Sequence, residues 1–183
     1  MGINLVKGQK VDMGLSRVKV GLGWDPQNSG SVDFDLDASV FMLNASKKIP
    51  REEFFVYYNN LTSPDGSLQH GGDNLSGQGE GDDEVINLDM DKVDNQVQEI
   101  IFVVSIHEAV MRKQNFGQVR NSFIRICDEA TNEEICKYEL GEDFSIETCI
   151  EFGRLYKRNN QWRFEGLGTG FNGGLQELVD KYT

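Results

Sequence analysis

The stretch Asp33-Phe34-Asp35-Leu36-Asp37-Ala38-Ser39-Val40-Phe41-Met42 alternates along its length. In an extended chain, Phe34, Leu36, Ala38, Val40 and Met42 fall on one face, and Asp33, Asp35, Asp37 and Ser39 on the other. A strand with one apolar face needs a second layer to cover it.

The flanking sequence reads the same way. Val18, Val20 and Leu22 alternate with Lys19 and Gly21, and Phe54, Val56 and Tyr58 continue the pattern. Val85, Ile86 and Leu88 open another strand, and 99–106 is a nearly continuous apolar run, as expected of a central strand covered on both faces. Further strands are expected at Phe123-Ile124-Ile126, at 134–140, and on either side of Asn159-Asn160, where asparagine's tolerance of positive φ suits a tight hairpin. Residues 107–114 suit a short helix or helical turn. Leu175, Leu178 and Val179 follow Gly173-Gly174 at helical spacing, which predicts a C-terminal helix. Many short strands between glycine-rich turns predict an all-β, two-sheet sandwich over residues 1–183, one domain with long acidic loops and two short helices.

Charge is concentrated. Of the net charge of -12, nearly all lies in residues 20–91, which hold 14 acids against 3 bases; from Glu52 to Asp91 there are ten acids and no Lys or Arg. Such a surface repels nucleic acid and attracts cations or a basic partner. Cys127, Cys136 and Cys149 are odd in number and form no Cys-x-x-Cys pair, so they read as reduced thiols of a cytoplasmic protein. No run is long and apolar enough to span a bilayer, and the opening Met1-Gly-Ile-Asn-Leu-Val-Lys7 lacks the apolar core of a signal peptide.

In a strand, Asp33, Asp35 and Asp37 project from one face about 7 Å apart. Asp25 and the Asp82-Asp83-Glu84 run add to the crowding, which a divalent cation would turn into binding energy. The second acidic piece, Gly72-Asp-Asn-Leu-Ser-Gly-Gln-Gly-Glu-Gly-Asp-Asp-Glu84, combines carboxylates, an amide oxygen and wrapping glycines. Calcium takes 6–8 oxygen ligands in flexible geometry, backbone carbonyls included. All-oxygen donors disfavour zinc and copper, and magnesium prefers to keep its waters. The loop is not an EF-hand, because position 75 is Leu where that pattern wants Asp or Asn. Spacing alone leaves a merely solvated acidic face as the other reading.

Five segments in order then carry a resemblance. Gly21-Leu-Gly-Trp-Asp25, Asp33-Phe-Asp-Leu-Asp-Ala-Ser39, Tyr58-Asn-Asn60, the 72–84 loop and Arg112-Lys-Gln-Asn-Phe-Gly-Gln-Val119 together resemble the TerD tellurium-resistance family, essentially from end to end. The resemblance implies a β-sandwich that binds calcium, a pair of ions held by the acidic loops. It implies a non-enzymatic stress protein of the bacterial cytoplasm, linked to tellurite tolerance, working with other stress-complex proteins or peripherally at the inner membrane. It also extends to a slime-mould cAMP-binding relative. Carried across, the ligands are Asp25, Asp35 and Asp37 from the first cluster. From the second come Asp73, Asn74, Glu80, Asp82 and Glu84, with Asp83 in the same run, Asn60 close by, and Gly72 and Gly79 as carbonyl donors. Gly71 and Ser76 stand where the family often has Thr, which leaves the acidic ligands in place. Tellurite is an anion that this acidic face would repel.

Two other readings use the same residues. One is a phosphoester hydrolase with two metals, for which His70 is the histidine candidate beside the loop. The other is a calcium-shaped binder of a small cAMP-like ligand or a peptide. Outside the acidic cluster, Trp24 reads as a core or rim aromatic, and His107-Glu108 as a surface or core pair. Gly166-Leu-Gly-Thr-Gly170 reads as a hairpin bend, and Arg112-Lys113 and Arg154-Lys157-Arg158 as solvated basic faces.

Overall fold

A computed structural model describes residues 2–25, 34–71, 81–141 and 144–183. Among these, twelve strands form two six-stranded sheets. In chain order they are β1 (Ile3–Leu5), β2 (Lys10–Asp12), β3 (Arg17–Asp25), β4 (Leu36–Leu43), β5 (Phe55–Val56), β6 (Leu68–His70), β7 (Glu84–Asp89), β8 (Glu99–Ile106), β9 (Arg120–Asp128), β10 (Glu134–Glu139), β11 (Cys149–Arg158) and β12 (Gln161–Phe171). The first sheet runs β1-β10-β9-β3-β7-β6 and the second β2-β12-β11-β8-β4-β5. Only the β1–β10 pair is parallel among the described ladders.

The expected alternation sets the core. Val18, Val20, Leu22 and Trp24 of the first sheet meet Leu36, Ala38, Val40 and Met42 of the second, all buried. Trp24 is therefore a core aromatic. The β8 run is buried along its whole length. One face lines the interior, and Ile101 and Val103 on the other join Phe41, Leu43, Cys149, Leu178 and Tyr182 in a second apolar cluster. That cluster lies under α2 (Gly174–Tyr182), the C-terminal helix that the spacing predicts. Burying Leu178 and Tyr182 contributes about 2 kcal/mol each, and this holds the helix to the sheet. Asn159 and Asn160 both take positive φ at the β11–β12 turn, as a two-residue hairpin requires. The other predicted helix is one turn, α1 (Ala109–Arg112).

Four expectations change. β4 begins at Leu36, so Asp35 precedes the strand and Asp33 lies outside the described residues. The polar stretch 59–84, rich in Gly, Asp, Asn and Ser and so expected to be a long loop, contains β6. Residues 166–170 belong to β12 rather than to a bend. Their glycines serve close packing: a Cβ on Gly166 would press into the Tyr138 ring and one on Gly168 into the Tyr138 hydroxyl, across the sandwich. Arg154 is not simply solvated, since its guanidinium bonds Glu99 at 3.0 Å and Glu165 at 2.8 Å.

Candidate functional site

Strand registers bring the acidic residues to one end of the sandwich. Leu22 of β3 pairs with Glu84 of β7, and Asp25 with Arg120 of β9. Leu36 of β4 pairs with Ile106 of β8. Glu84, at the head of β7, reaches across to accept the Ala38 N–H of β4 at 2.8 Å, so the two sheets share this end. β3 and β6 end here, and β4 and β7 begin here. Of the predicted ligands, Gly72, Asp73, Asn74, Gly79 and Glu80 lie outside the described residues, and Asp25, Asp35, Asp37, Asn60, Asp82, Asp83 and Glu84 inside them.

These seven are not equivalent. Asp25 ends β3 on its outer face, exposed, and its Oδ2 accepts from Asn121 Nδ2 at 2.6 Å. Asp83 Oδ2 accepts the Trp24 N–H at 2.8 Å. Burial, followed by the like charges of Asp25 and Asp82, pushes the Asp83 carboxyl above its usual range, although the Trp24 bond opposes this. Asp35 and Asp37 stand at the head of β4. The Asp35 carbonyl accepts the His107 N–H at 2.8 Å and its Oδ1 is out of reach of solvent. Asp37 Oδ2 is 3.9 Å from His107 Nδ1.

Asp82 and Glu84 are engaged with the framework. Both Asp82 oxygens are gripped by Arg125, at 2.7 and 2.9 Å. The Glu84 side chain is 1% exposed and turns into the core. β5 pairs with β4 only at Val40 and Phe41, so Ala38 lies beyond its reach. Glu84 accepts the Ala38 N–H there, and His70 Nε2 donates to the Ala38 carbonyl at 3.0 Å, with Glu84 Oε2 3.3 Å away.

Asn60 serves a different structure. Its Nδ2 donates to the Glu53 and Phe55 carbonyls at 3.0 and 2.7 Å and closes a turn with Tyr57. It borders a hollow of about 880 Å³ between β5 and α2, walled by Phe55, Tyr57, Leu175 and Val179.

Among the described residues, no three His, Cys, Asp or Glu side chains converge into a metal site by themselves. Arg125, Asn121 and His107, each bonded to or beside a candidate ligand, escape a reading by acidic motifs. Arg125 had a signal: it is out of phase with the buried Ile124 and Ile126, so it faces outward on the strand beside β3.

The molecule is thus an all-β sandwich with its carboxylates gathered at one loop-bearing end. It matches known proteins over its whole length. The TerD domain family matches residues 1–182, and the chain belongs to that family. It is 50% identical over 188 residues to general stress protein 16U of Bacillus subtilis (strain 168), covering 100% of this chain and 97% of that one. It is 44% identical over 187 residues to tellurium resistance protein TerD of Serratia marcescens, with 100% and 97% covered. The crystal structure of a homologue of telluride resistance protein (TerD) from Streptomyces coelicolor A3(2) superposes with a TM-score of 0.71 at 23% identity. It covers 91% of this chain and 96% of that one, and supports the sandwich fold. Among the described residues, no helix is long and apolar enough to cross a membrane.

Proposed function

We propose that this protein binds calcium at the acidic end of the sandwich, without enzymatic activity, and that it serves tellurite resistance or general stress tolerance as its relatives' names state. The observation that carries the reading is the gathering of Asp25, Asp35, Asp37 and Asp83 where β3 and β6 end and β4 and β7 begin. The like-charge neighbourhood of Asp83 fits a cation. Asp25, Asp35, Asp37 and Asp83 are its ligands from the framework; Asp73, Asn74, Glu80 and the Gly72 and Gly79 carbonyls are its ligands from the loop, enough oxygen for a pair of ions. Asp82, tied to Arg125, and Glu84, tied to Ala38, position the loop's return. Calcium here acts as a structural charge that orders the end for a partner in a larger stress complex.

Isothermal titration with calcium tests the reading. Binding that is lost in Asp35→Asn/Asp37→Asn, with the fold intact by circular dichroism, is the expected result. The melting temperature rises with calcium, because a ligand at 100 times its Kd stabilises the folded state by about 2.7 kcal/mol. No heat at millimolar calcium would sink the proposal.

The hollow beside α2 favours a second reading, a calcium-shaped binder of a small ligand or peptide. A pull-down with and without chelator separates it from calcium binding alone. Nothing comparable favours a hydrolase: the His70 side chain is 2% exposed and committed to Ala38.

A further inference from the structure

We infer that the hollow between β5 and α2 receives an arginine side chain from a basic segment of a partner protein. The inference rests on the second reading above, in its peptide form, and deepens it. It does not depend on calcium: apart from Asn60, no predicted calcium ligand among the described residues lines the hollow. One wall is a ladder of rings. Phe55 stands opposite Phe41 in the β4–β5 register, and Tyr57, two residues on, keeps the same face. Phe41 and Phe55 stack with centroids 4.5 Å apart and planes 16° from parallel; Phe55 and Tyr57 do so at 4.7 Å and 10°. Tyr58 meets Tyr57 edge-on at 5.3 Å and is 49% exposed. The ladder thus starts in the buried cluster under α2 and ends in the hollow, which Leu175 and Val179 also line.

Charge selects the occupant. Glu52 and Glu53, on the 3-10 turn just before β5, line the same hollow, and neither has an ion-pair partner among the described residues. Arg51 is the only cation among the described residues that line it, and its guanidinium lies over the Phe54 ring, 5.7 Å from the centroid. An anionic ligand would meet two carboxylates against one engaged arginine. A cation gains from both features, because ring faces are the negative part of the quadrupole and the carboxylates add full charge. A guanidinium suits the ladder better than an ammonium. It is planar, so it continues a parallel stack, and its fork of donors matches a carboxylate. Strand addition, another common way to take up a peptide, is closed here. The Asn60 amide already donates to the Glu53 and Phe55 carbonyls beside β5, so recognition runs through side chains. A hollow of about 880 Å³ has room for an arginine together with its neighbours in a chain.

The test is a titration of the full chain with the capped peptide Gly-Arg-Gly-Arg-Gly and with its lysine and glutamate counterparts, read from the amide NMR signals of Tyr57, Tyr58 and Gln176. The arginine peptide is expected to shift these signals to saturation, with calcium and with chelator alike. The lysine peptide is expected to bind several-fold more weakly, and the glutamate peptide not at all. Glu52→Gln/Glu53→Gln is expected to weaken the arginine peptide about tenfold, as the loss of two exposed charge contacts does. Tyr58→Ala is expected to weaken it about threefold. All three side chains are exposed, so the variants are expected to melt as the parent does. Silence from the arginine peptide in either condition overturns the inference. So does an affinity that both variants leave unchanged, which would place the peptide elsewhere. Spermidine binding as tightly as the arginine peptide would assign the hollow to a small polycation and overturn it too. Shifts from the glutamate peptide instead would overturn the arginine assignment and leave the peptide reading standing; no shift from any peptide would remove both.

Discussion

Arg125 holds both oxygens of Asp82, and the carboxylate so fixed lies directly over Gly21, where a Cβ would collide with it. One ion pair therefore dictates a glycine in the neighbouring strand. Gly21→Ala is expected to cost about 1–3 kcal/mol by displacing the pair. Arg125→Met, which leaves a nearly buried carboxylate unpaired, is expected to cost about 2–3 kcal/mol. Urea denaturation followed by tryptophan fluorescence reads both; unchanged midpoints would show that the pair contributes nothing.

Asp83 titrates in the opposite sense to a stabilising carboxylate. Burial, then Asp25 and Asp82, raise it. Its contribution to stability is present below the unfolded value of 3.8 and is lost as pH rises through the raised folded value. In calcium-free protein, Asp83→Asn is expected to raise the melting temperature at pH 7, a gain that fades in acid. The same variant binds calcium more weakly. Thermal melts across pH, with chelator and with calcium, check the two signs together.

Asp65 shows the usual sign. Burial pushes its carboxyl up, but the Ser63 and Ser67 hydroxyls and the Asp94 and Ser67 N–H groups prevail and hold it below 3.8. Its Oδ1 accepts from Ser63, the Ser67 hydroxyl and the Ser67 N–H at 2.6, 2.7 and 2.9 Å, and its Oδ2 from Asp94 N–H at 2.9 Å. Stability from Asp65 is full above the unfolded value and is lost as pH falls through the lowered one. Asp65→Ala should cost about 2–3 kcal/mol at pH 7 and much less near pH 2. An equal cost at both pH values would contradict this account.

All three thiols are buried. Burial raises Cys127, pushes Cys136 up to about 12, and raises Cys149 as well. The thiolate is the reactive form. Native protein at pH 8 is expected to resist a disulfide-exchange reagent, and to react fully only once unfolded in urea. Rapid labelling of the native chain would refute this.

The sandwich was legible because its long strands alternate or run apolar, as in β4 and β8, and because Asn159-Asn160 announces a hairpin. The short edge strands were not. Leu68-Gln69-His70 is three residues within a polar stretch, and β1 and β2 are three residues each, too short to show a period. In the acidic cluster, the end of the molecule could be read but the division of labour could not. Arg125 is 43 residues from Asp82, and no local pattern links them. Glu84 did carry a signal. It is in phase with Ile86 and Leu88, so alternation sends it into the core with them and away from the loop.

The placement of β1 and β2 bears on the order in which the protein assembles. Ile3–Leu5 pairs with Cys136–Tyr138 in one sheet, and Lys10–Asp12 with Arg163–Glu165 in the other. During synthesis, these early residues leave the ribosome long before their partners exist, and contacts so distant in sequence form slowly. The opening segment can therefore pair only after both partners are made, and it then closes one edge of each sheet as a clasp.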